Sequence, residues 1–353
     1  MSAPIPAIVL GGTGYVAGEL LRLLAGHPRL ALAAVASDSQ PGAPVASAFP
    51  HLAAALRGLR FASHDEVLAL IAAEPRTAVL AAAPHGVSAQ LIDSLLTHAA
   101  AAGTRPTVVD ISADYRFSDA AEYARVYKHP HGAPARLGEF SCAVPEHLGK
   151  APTPHVAHPG CFSTATLLAV VPLLRLGLVE PELFVSAVTG STGSGRSPTA
   201  GTHHPQRHSD LYAYGALAHR HAPEIAALAR AASGTDAHIA FVPHSGPFTR
   251  GIHATVQARL ARPMSGEEVR AALAEFYAGG PFVQVLDAPP RIKDVVTSNY
   301  ARLSAACDGR SVAVMSVVDN LVKGAAGGAI QWMNRLLGFD EAEGLTAPAP
   351  GWT

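Results

Sequence analysis

The chain has 353 residues, 49% hydrophobic and only 15% charged, with a formal net charge of −1 at pH 7. That length exceeds one ordinary core and predicts two domains, and the near-neutral charge excludes a nucleic-acid or membrane surface driven by bulk electrostatics. The three cysteines, Cys142, Cys161 and Cys307, share no metal-ligand spacing and are too few for a disulfide framework, which suits a reducing compartment. Met1 to Pro6 lacks a basic leader region and no apolar run is long enough to span a bilayer, so a cytoplasmic globular protein is expected.

Ala7 to Leu10 is a short apolar strand that runs into Gly11-Gly12-Thr13-Gly14-Tyr15-Val16-Ala17-Gly18 and then a helical pattern from Glu19 to Ala25. Strand, glycine turn and helix in this order are the fingerprint of a dinucleotide site. Gly11 and Gly14 let the backbone approach a pyrophosphate, the helix N-terminus stabilises its charge, and Gly18 would let the helix pack closely on the strand. The same turn contributes Thr13, Tyr15 and Val16 to the expected cofactor site. A second strand, Leu30 to Ala36, ends in Ser37-Asp38-Ser39-Gln40. An acidic residue there commonly binds the ribose hydroxyls of NAD, whereas an Arg accommodates the extra phosphate of NADP. Asp38 leans toward NAD, while Ser37 and Ser39 could hydrogen-bond a phosphate.

Val67 to Ala73 reads as helix and Thr77 to Ala82 as the next buried strand. It is followed by Ala83-Pro84-His85-Gly86-Val87-Ser88 and a helix through Leu96. Ligands gather at such strand ends in a doubly wound sheet, so Pro84, His85 and Gly86 are candidates to face a nicotinamide. A plain connecting turn is the alternative. Thr107 to Ile111 is another strand, leading to Ser112-Ala113-Asp114-Tyr115-Arg116-Phe117. The bidentate fork of Arg116 suits a phosphate or carboxylate, or else pairs locally with Asp114. Tyr123 to Leu137 is polar and broken by prolines and reads as irregular, and Glu139 to Glu146 leads back to the sheet.

His158-Pro159-Gly160-Cys161-Phe162-Ser163-Thr164-Ala165 precedes an apolar run from Thr166 to Leu178. The Cys161 sulfur should sit in the first turn of a helix, where free N–H groups and the helix dipole favour a thiolate. Such a thiolate can attack an activated carbonyl; a buried structural cysteine is the bland reading. Further on, Leu183 to Thr189 is a strand, and Gly190-Ser191-Thr192-Gly193-Ser194-Gly195-Arg196 is a small-residue loop suited to an anion. Thr202 to Glu224 is dense in histidine but lacks the cysteines or spaced carboxylates of a zinc site, so no metal is expected. Tyr212, Tyr214, His219, Arg220, His221 and Glu224 form a polar group at the start of a helix from Pro223 to Ala232, where a His could act as general base oriented by Glu224.

Ala237 to Val242, Gly251 to Ala258, Val283 to Leu286, Arg302 to Ala306 and Val312 to Val318 read as strands, with a helix Gly266 to Tyr277 entered from Ser265. This pattern predicts an α/β chain: a Rossmann-type dinucleotide-binding domain over residues 1–160, and an α+β substrate and dimerisation domain over 161–319 with a largely antiparallel sheet. A final helical element from Leu321 to Leu337 would return to the first domain, which 320–353 would complete. A nicotinamide domain, an activated Cys and a His together describe reduction of an acyl group through a thioester. If the acyl group arrives as a phosphoric anhydride, Arg116, Arg196 and Arg250 are the cations for the leaving phosphate.

The glycine turn through Leu20, Pro84 to Ser88, Val109 to Arg116, His158 to Phe162, His219-Arg220-His221-Ala222-Pro223-Glu224, Pro243 to Ile252 and Asp319-Asn320-Leu321-Val322-Lys323-Gly324-Ala325-Ala326-Gly327 together resemble the N-acetyl-γ-glutamyl-phosphate reductase family, over nearly the whole chain. The resemblance implies reduction of an acyl phosphate by NADPH to N-acetylglutamate 5-semialdehyde in arginine biosynthesis, with phosphate released, by a cytoplasmic homodimer or homotetramer. It implies Cys161 as nucleophile and a His of the His219/His221 pair as acid/base, with His219 favoured. Glu224, Tyr212, Arg116, Ser112, Arg196 and Arg250 take supporting or substrate-binding roles, and Asn320 is expected at the cofactor. Asp38 stands where an Arg is frequent in the family, so NAD stays open beside NADP. Ser163 follows Cys161-Phe162 where Pro or Ala is commoner, and Thr297-Ser298-Asn299 replaces a more usual Gly-Thr-Asn. Thr202 to His208 is reminiscent of relatives that reduce aminoadipyl phosphate in lysine synthesis. An aspartyl-phosphate semialdehyde dehydrogenase and a non-enzymatic NADP-binding sensor are the competing readings.

Overall fold

The structure, a computed structural model, describes residues 3–352 and divides into two compact units. The first comprises Met1–Cys142, Lys150–His158 and Ala326–Leu345. Its strands are β1 Ile5–Leu10, β2 Leu30–Val35, β3 Ala78–Ala81, β4 Thr107–Asp110, β5 Phe140–Cys142 and β6 His155–Ala157. All pair in parallel, in the order β2-β1-β3-β4-β6-β5. Strands covered on both faces must be apolar along their length, and β3 and the last four residues of β1 are fully buried. β1 and β3 are neighbours although the chain visits β2 between them. The strand order therefore reverses there, and a crevice opens at the carboxyl ends of β1 and β3. The helix Gly327–Leu337 packs on β3, β4 and the first helix, Tyr15–Leu24, with Trp332 buried and Asn334 Oδ1 3.0 Å from His27 Nε2.

The second unit comprises Ala143–Gly149, Pro159–Ala325 and Thr346–Thr353. Its strands are β7 Val179–Thr189, β8 Tyr212–Ala213, β9 His238–Ser245, β10 Ile252–Leu260, β11 Val283–Val285, β12 Ala301–Cys307 and β13 Ser311–Val318. They run in the order β11-β12-β13-β10-β7-β9-β8, with β7/β9 and β11/β12 parallel and the other pairs antiparallel. One face carries the helix Cys161–Arg175, buried from Phe162 to Leu174. Pro172 lies inside that helix and has no N–H for the Leu168 carbonyl, which instead accepts the Tyr277 hydroxyl at 2.7 Å. The other face alternates outward: Phe184 pairs with Gln257, and Gln257 with Ala313.

Two sequence expectations need correction. Residues 123–137 are not wholly irregular: Asp119 caps a helix Ala120–Tyr127 through the N–H groups of Ala121 and Glu122, and Pro134–Glu139 is a 3₁₀ turn. Gly18 does not meet the strand; a Cβ there would strike the Phe49 ring at 2.7 Å.

Candidate active site

In the second unit Cys161 is the first residue of its helix and Gly160, in extended conformation, is the N-cap. No side-chain hydrogen bond caps this start, and the helix N-terminus there favours a charged sulfur. The turn is pinned from behind. Glu224, 1% exposed in the first turn of the helix His221–Ser233, accepts the Gly160 N–H at 2.7 Å. Gly324 closes the other side: a Cβ there would lie 2.7 Å from Cys161 Cβ, so only glycine lets the Val322–Ala326 turn approach. That turn begins at Asp319, whose buried carboxylate accepts the N–H groups of Leu321, Val322 and Thr297 and both arms of Arg250, at 3.0 Å each.

Cys161 opens onto a cavity of about 590 Å³ lined also by Phe162, Thr189, Ser194, Tyr212, Tyr214, His219, Arg220, His221 and Ser245. The rings form a packed wall: His219 lies 4.8 Å from His221, 5.5 Å from Tyr214 and 5.9 Å from Phe162. Burial and the nearby Arg220 guanidinium lower the His219 pKa to about 4. Burial and the Cys161 sulfur push the Tyr214 hydroxyl well above its usual value.

The structure thus brings together Cys161, His219, His221 and Tyr212, with Glu224 behind them. Arg220 and Tyr214, grouped with these residues in the sequence, line the same wall. Arg196 is exposed in the loop that lends Gly193 and Ser194 to the cavity, and is not itself a lining residue. Arg250, expected to bind substrate, has its fork closed on Asp319. Asn320, expected at the cofactor, accepts the Gly251 N–H at 2.7 Å and donates to Thr192 Oγ1, both within the second unit.

Arg116 and Ser112 belong to the first unit. Arg116 donates to the carbonyls of His158 and Ile111, and Ser112 to Asp110. Asp110 is fully buried, and desolvation, with Asp114 nearby, raises its pKa to about 6 against the Ser112 and Ser88 donors. Asp114 takes the N–H groups of Gly86 and Ala89 and the Tyr123 hydroxyl, and His85 Nδ1 takes the Ala113 N–H. The loop Pro84 to Ser88 is therefore held from beneath by the Asp110 to Asp114 segment.

The crevice of the first unit is a cavity of about 320 Å³ lined by Gly11, Thr13, Gly14, Ser37, Asp38, Ser39 and Pro84 among others. Gly11 adopts φ +77°, and a Cβ there would lie 2.5 Å from Ala83 Cα. A Cβ on Gly12 would meet Ala36 O at 2.8 Å, whereas Gly14, the N-cap of Tyr15–Leu24, faces open space and no side chain caps that helix. These uncapped donors beside a backbone-walled crevice fit a pyrophosphate. Tyr15 and Val16 open the helix, while His85 and Gly86 stand outside the cavity wall. Gly12, part of the glycine turn, lines it too, and His64 does so unforeseen; the Ser63-x-x-Glu66 capping box was the signal that would have started the helix at His64 rather than Val67.

Residues 6–149 match the semialdehyde dehydrogenase NAD binding domain model, and 161–320 match the semialdehyde dehydrogenase dimerisation domain model. An N-acetyl-γ-glutamyl-phosphate reductase of Pseudomonas putida is 41% identical over 96% of this chain and 97% of its own length. One from Azotobacter vinelandii is 41% identical over 97% of this chain and 98% of its own. The chain belongs to the N-acetyl-γ-glutamyl-phosphate reductase family. As a member of it, the chain carries a nicotinamide dinucleotide-binding domain, and the aminoadipyl-phosphate alternative is not favoured. Among solved structures, aspartate semialdehyde dehydrogenase II of Vibrio cholerae complexed with ASA superposes with a TM-score of 0.70 at 16% identity, covering 95% of this chain and 98% of that one. Aspartate semialdehyde dehydrogenase with NADP from Candida albicans gives 0.66 at 18%, covering 95% and 98%. At such identities the likeness shows the shared fold, not a shared substrate. Among the described residues no three His, Cys, Asp or Glu side chains gather as a metal site, and no helix is long and apolar enough to cross a membrane.

Proposed function

We propose that this chain reduces N-acetyl-γ-glutamyl phosphate to N-acetylglutamate 5-semialdehyde and phosphate with NADPH, as a cytoplasmic homodimer or homotetramer of arginine biosynthesis. The observation that carries it is Cys161 at an uncapped helix start in one cavity wall with His219, His221 and Arg220, in a chain so similar end to end to reductases of that name.

The Cys161 thiolate attacks the acyl carbon, and the helix N-terminus stabilises the charge on sulfur. The C–O bond to phosphate then breaks, leaving a thioester on Cys161. Arg220 offers the leaving phosphate a charge-assisted partner. A histidine of the His219/His221 pair serves the reacting carbonyl. Gly11, Thr13 and Gly14 hold the pyrophosphate, and Ser37 and Ser39, with hydroxyls 3.3 Å apart, offer the ribose phosphate hydrogen bonds beside Asp38. When bound, the nicotinamide supplies the hydride that turns the thioester into the aldehyde. The uncovered sheet face, where Phe184 is 52% exposed, is the surface assigned to the partner protomer, and sedimentation of the purified protein tests it.

The deciding assay is phosphate-dependent oxidation of N-acetylglutamate semialdehyde, with NADP and NAD in parallel. Turnover should require phosphate, prefer NADP, and fall by at least about 10³-fold in Cys161→Ser. Turnover that ignores phosphate or survives the loss of Cys161 would sink the reading, and a preference for NAD would move the weight to Asp38.

A further inference from the structure

His219 Nδ1 accepts the backbone N–H of His221 at 3.2 Å. A ring nitrogen that accepts an N–H carries no proton of its own, so the neutral imidazole holds its proton on Nε2. His221 begins the helix His221–Ser233, and a first-turn N–H is one that a helix offers to acceptors outside its own ladder. The ring is wedged between Phe162, Tyr214, His221 and Phe241, the last 5.7 Å away.

We propose that His219 works as a neutral imidazole whose Nε2–H donates a hydrogen bond to the acyl oxygen of the substrate, and not as a base that takes the Cys161 proton. The inference rests on the reductase reading above and deepens it. Protonating Nδ1 would break the bond to His221 and place a cation in a half-buried aromatic wall. Desolvation and Arg220 act against the cation, and Glu224 acts weakly for it. Cys161, Tyr212, Tyr214 and His221, with Arg220, are the other titratable groups facing the cavity.

The chemistry asks for a donor and for no base. The thiolate pair forms the S–C bond while the carbonyl pair moves onto oxygen. That pair returns as the C–O bond to phosphate breaks, and the phosphate leaves with its electron pair and takes a proton from water. Reduction of the thioester puts negative charge on the same oxygen again, and its collapse breaks the S–C bond and restores the thiolate. Sulfur begins and ends the reductive cycle deprotonated, while one oxygen is charged twice. A fixed Nε2–H beside that oxygen stabilises both states.

Long-range ¹H–¹⁵N spectra of the ¹⁵N-histidine-labelled enzyme, with His219→Gln to assign the resonance, read the tautomer directly. The Nε2–H form should persist from pH 8 to about 5. An imidazolium or an Nδ1–H tautomer at pH 7 overturns the proposal. Turnover gives a second readout: Gln places an amide N–H near the Nε2 position but cannot serve as a base. His219→Gln should keep kcat within about tenfold, and His219→Ala should lose about 10²–10³-fold with KM little changed. Equal losses in two folded variants would also overturn it. The tautomer is read in the resting protein, so a wild-type enzyme that failed to turn over would count against the reductase reading while the spectra still decided the proposal.

Discussion

The crevice of the first unit and the cavity of the second are built from opposite materials. The crevice is built around backbone: Gly11 and Gly12, too crowded for a Cβ, an uncapped helix and strand ends, with small and polar side chains such as Thr13, Ser37, Asp38 and Ser39 along its wall. The cavity is side chain: a thiol, two imidazoles, a guanidinium and two phenols, set in place by bonds from behind. Glu224 holds the turn before Cys161, and the His221 N–H holds the His219 ring. A ligand shared across many enzymes is met by the chain's least variable chemistry, and the reacting group by its most particular.

Crossed glycine variants would break this contrast most sharply. Gly324→Ala drives a Cβ into Cys161 and should slow alkylation of that thiol, and turnover with it, by about 10²-fold while dinucleotide affinity stays. Gly12→Ala should do the reverse, weakening the dinucleotide by about tenfold or more with alkylation unchanged. Isothermal titration and thiol-alkylation rates, run on both, decide it. Glu224→Ala leaves the buried Gly160 N–H without its acceptor, and chemical denaturation should show a loss of about 2 kcal/mol together with reduced kcat.

Acidification sharpens the comparison more gently. Burial lowers His147, His155 and His219 to about 4, so an unfolded chain takes up protons near pH 6.5 that the native state refuses. Stability is present above about 6.5 and lost as pH falls toward 4. Asp110, raised to about 6, has the opposite sign: its contribution is complete below about 4 and lost as pH rises through 6. Calorimetry should find a melting temperature lower by about 5–10 °C at pH 5 than at pH 7.5. The smallest effect is expected at Thr297, a non-glycine residue at φ +68°. Thr297→Gly should raise the melting temperature by about 1–2 °C.

The two halves also differ in how far they can be read from residues alone. Glycine spacing announces the crevice because glycines such as Gly11 and Gly12 are demanded there by a backbone contact, and Pro-Gly-Cys announces the nucleophile because a helix must begin there. The arginines are legible as cations but not as partners. Arg250 meets Asp319 across 69 positions of sequence, and no local pattern encodes such a meeting. β5 and β6 are three residues each, too short for any period to show, and the Asp119 cap is masked by the prolines that follow it.

The helix Gly327–Leu337 completes the first unit from the far end of the chain. On a ribosome, the strands of that unit emerge early, yet the helix that covers β3 and β4 arrives only after Pro159–Ala325 of the second unit has been made. At roughly 5–20 residues per second, the apolar surface meant for Trp332 and its neighbours stays uncovered for about ten seconds or longer. A chaperone that shields nascent chains has its natural target there, and a fragment ending at Ala325 would carry the same bare patch permanently.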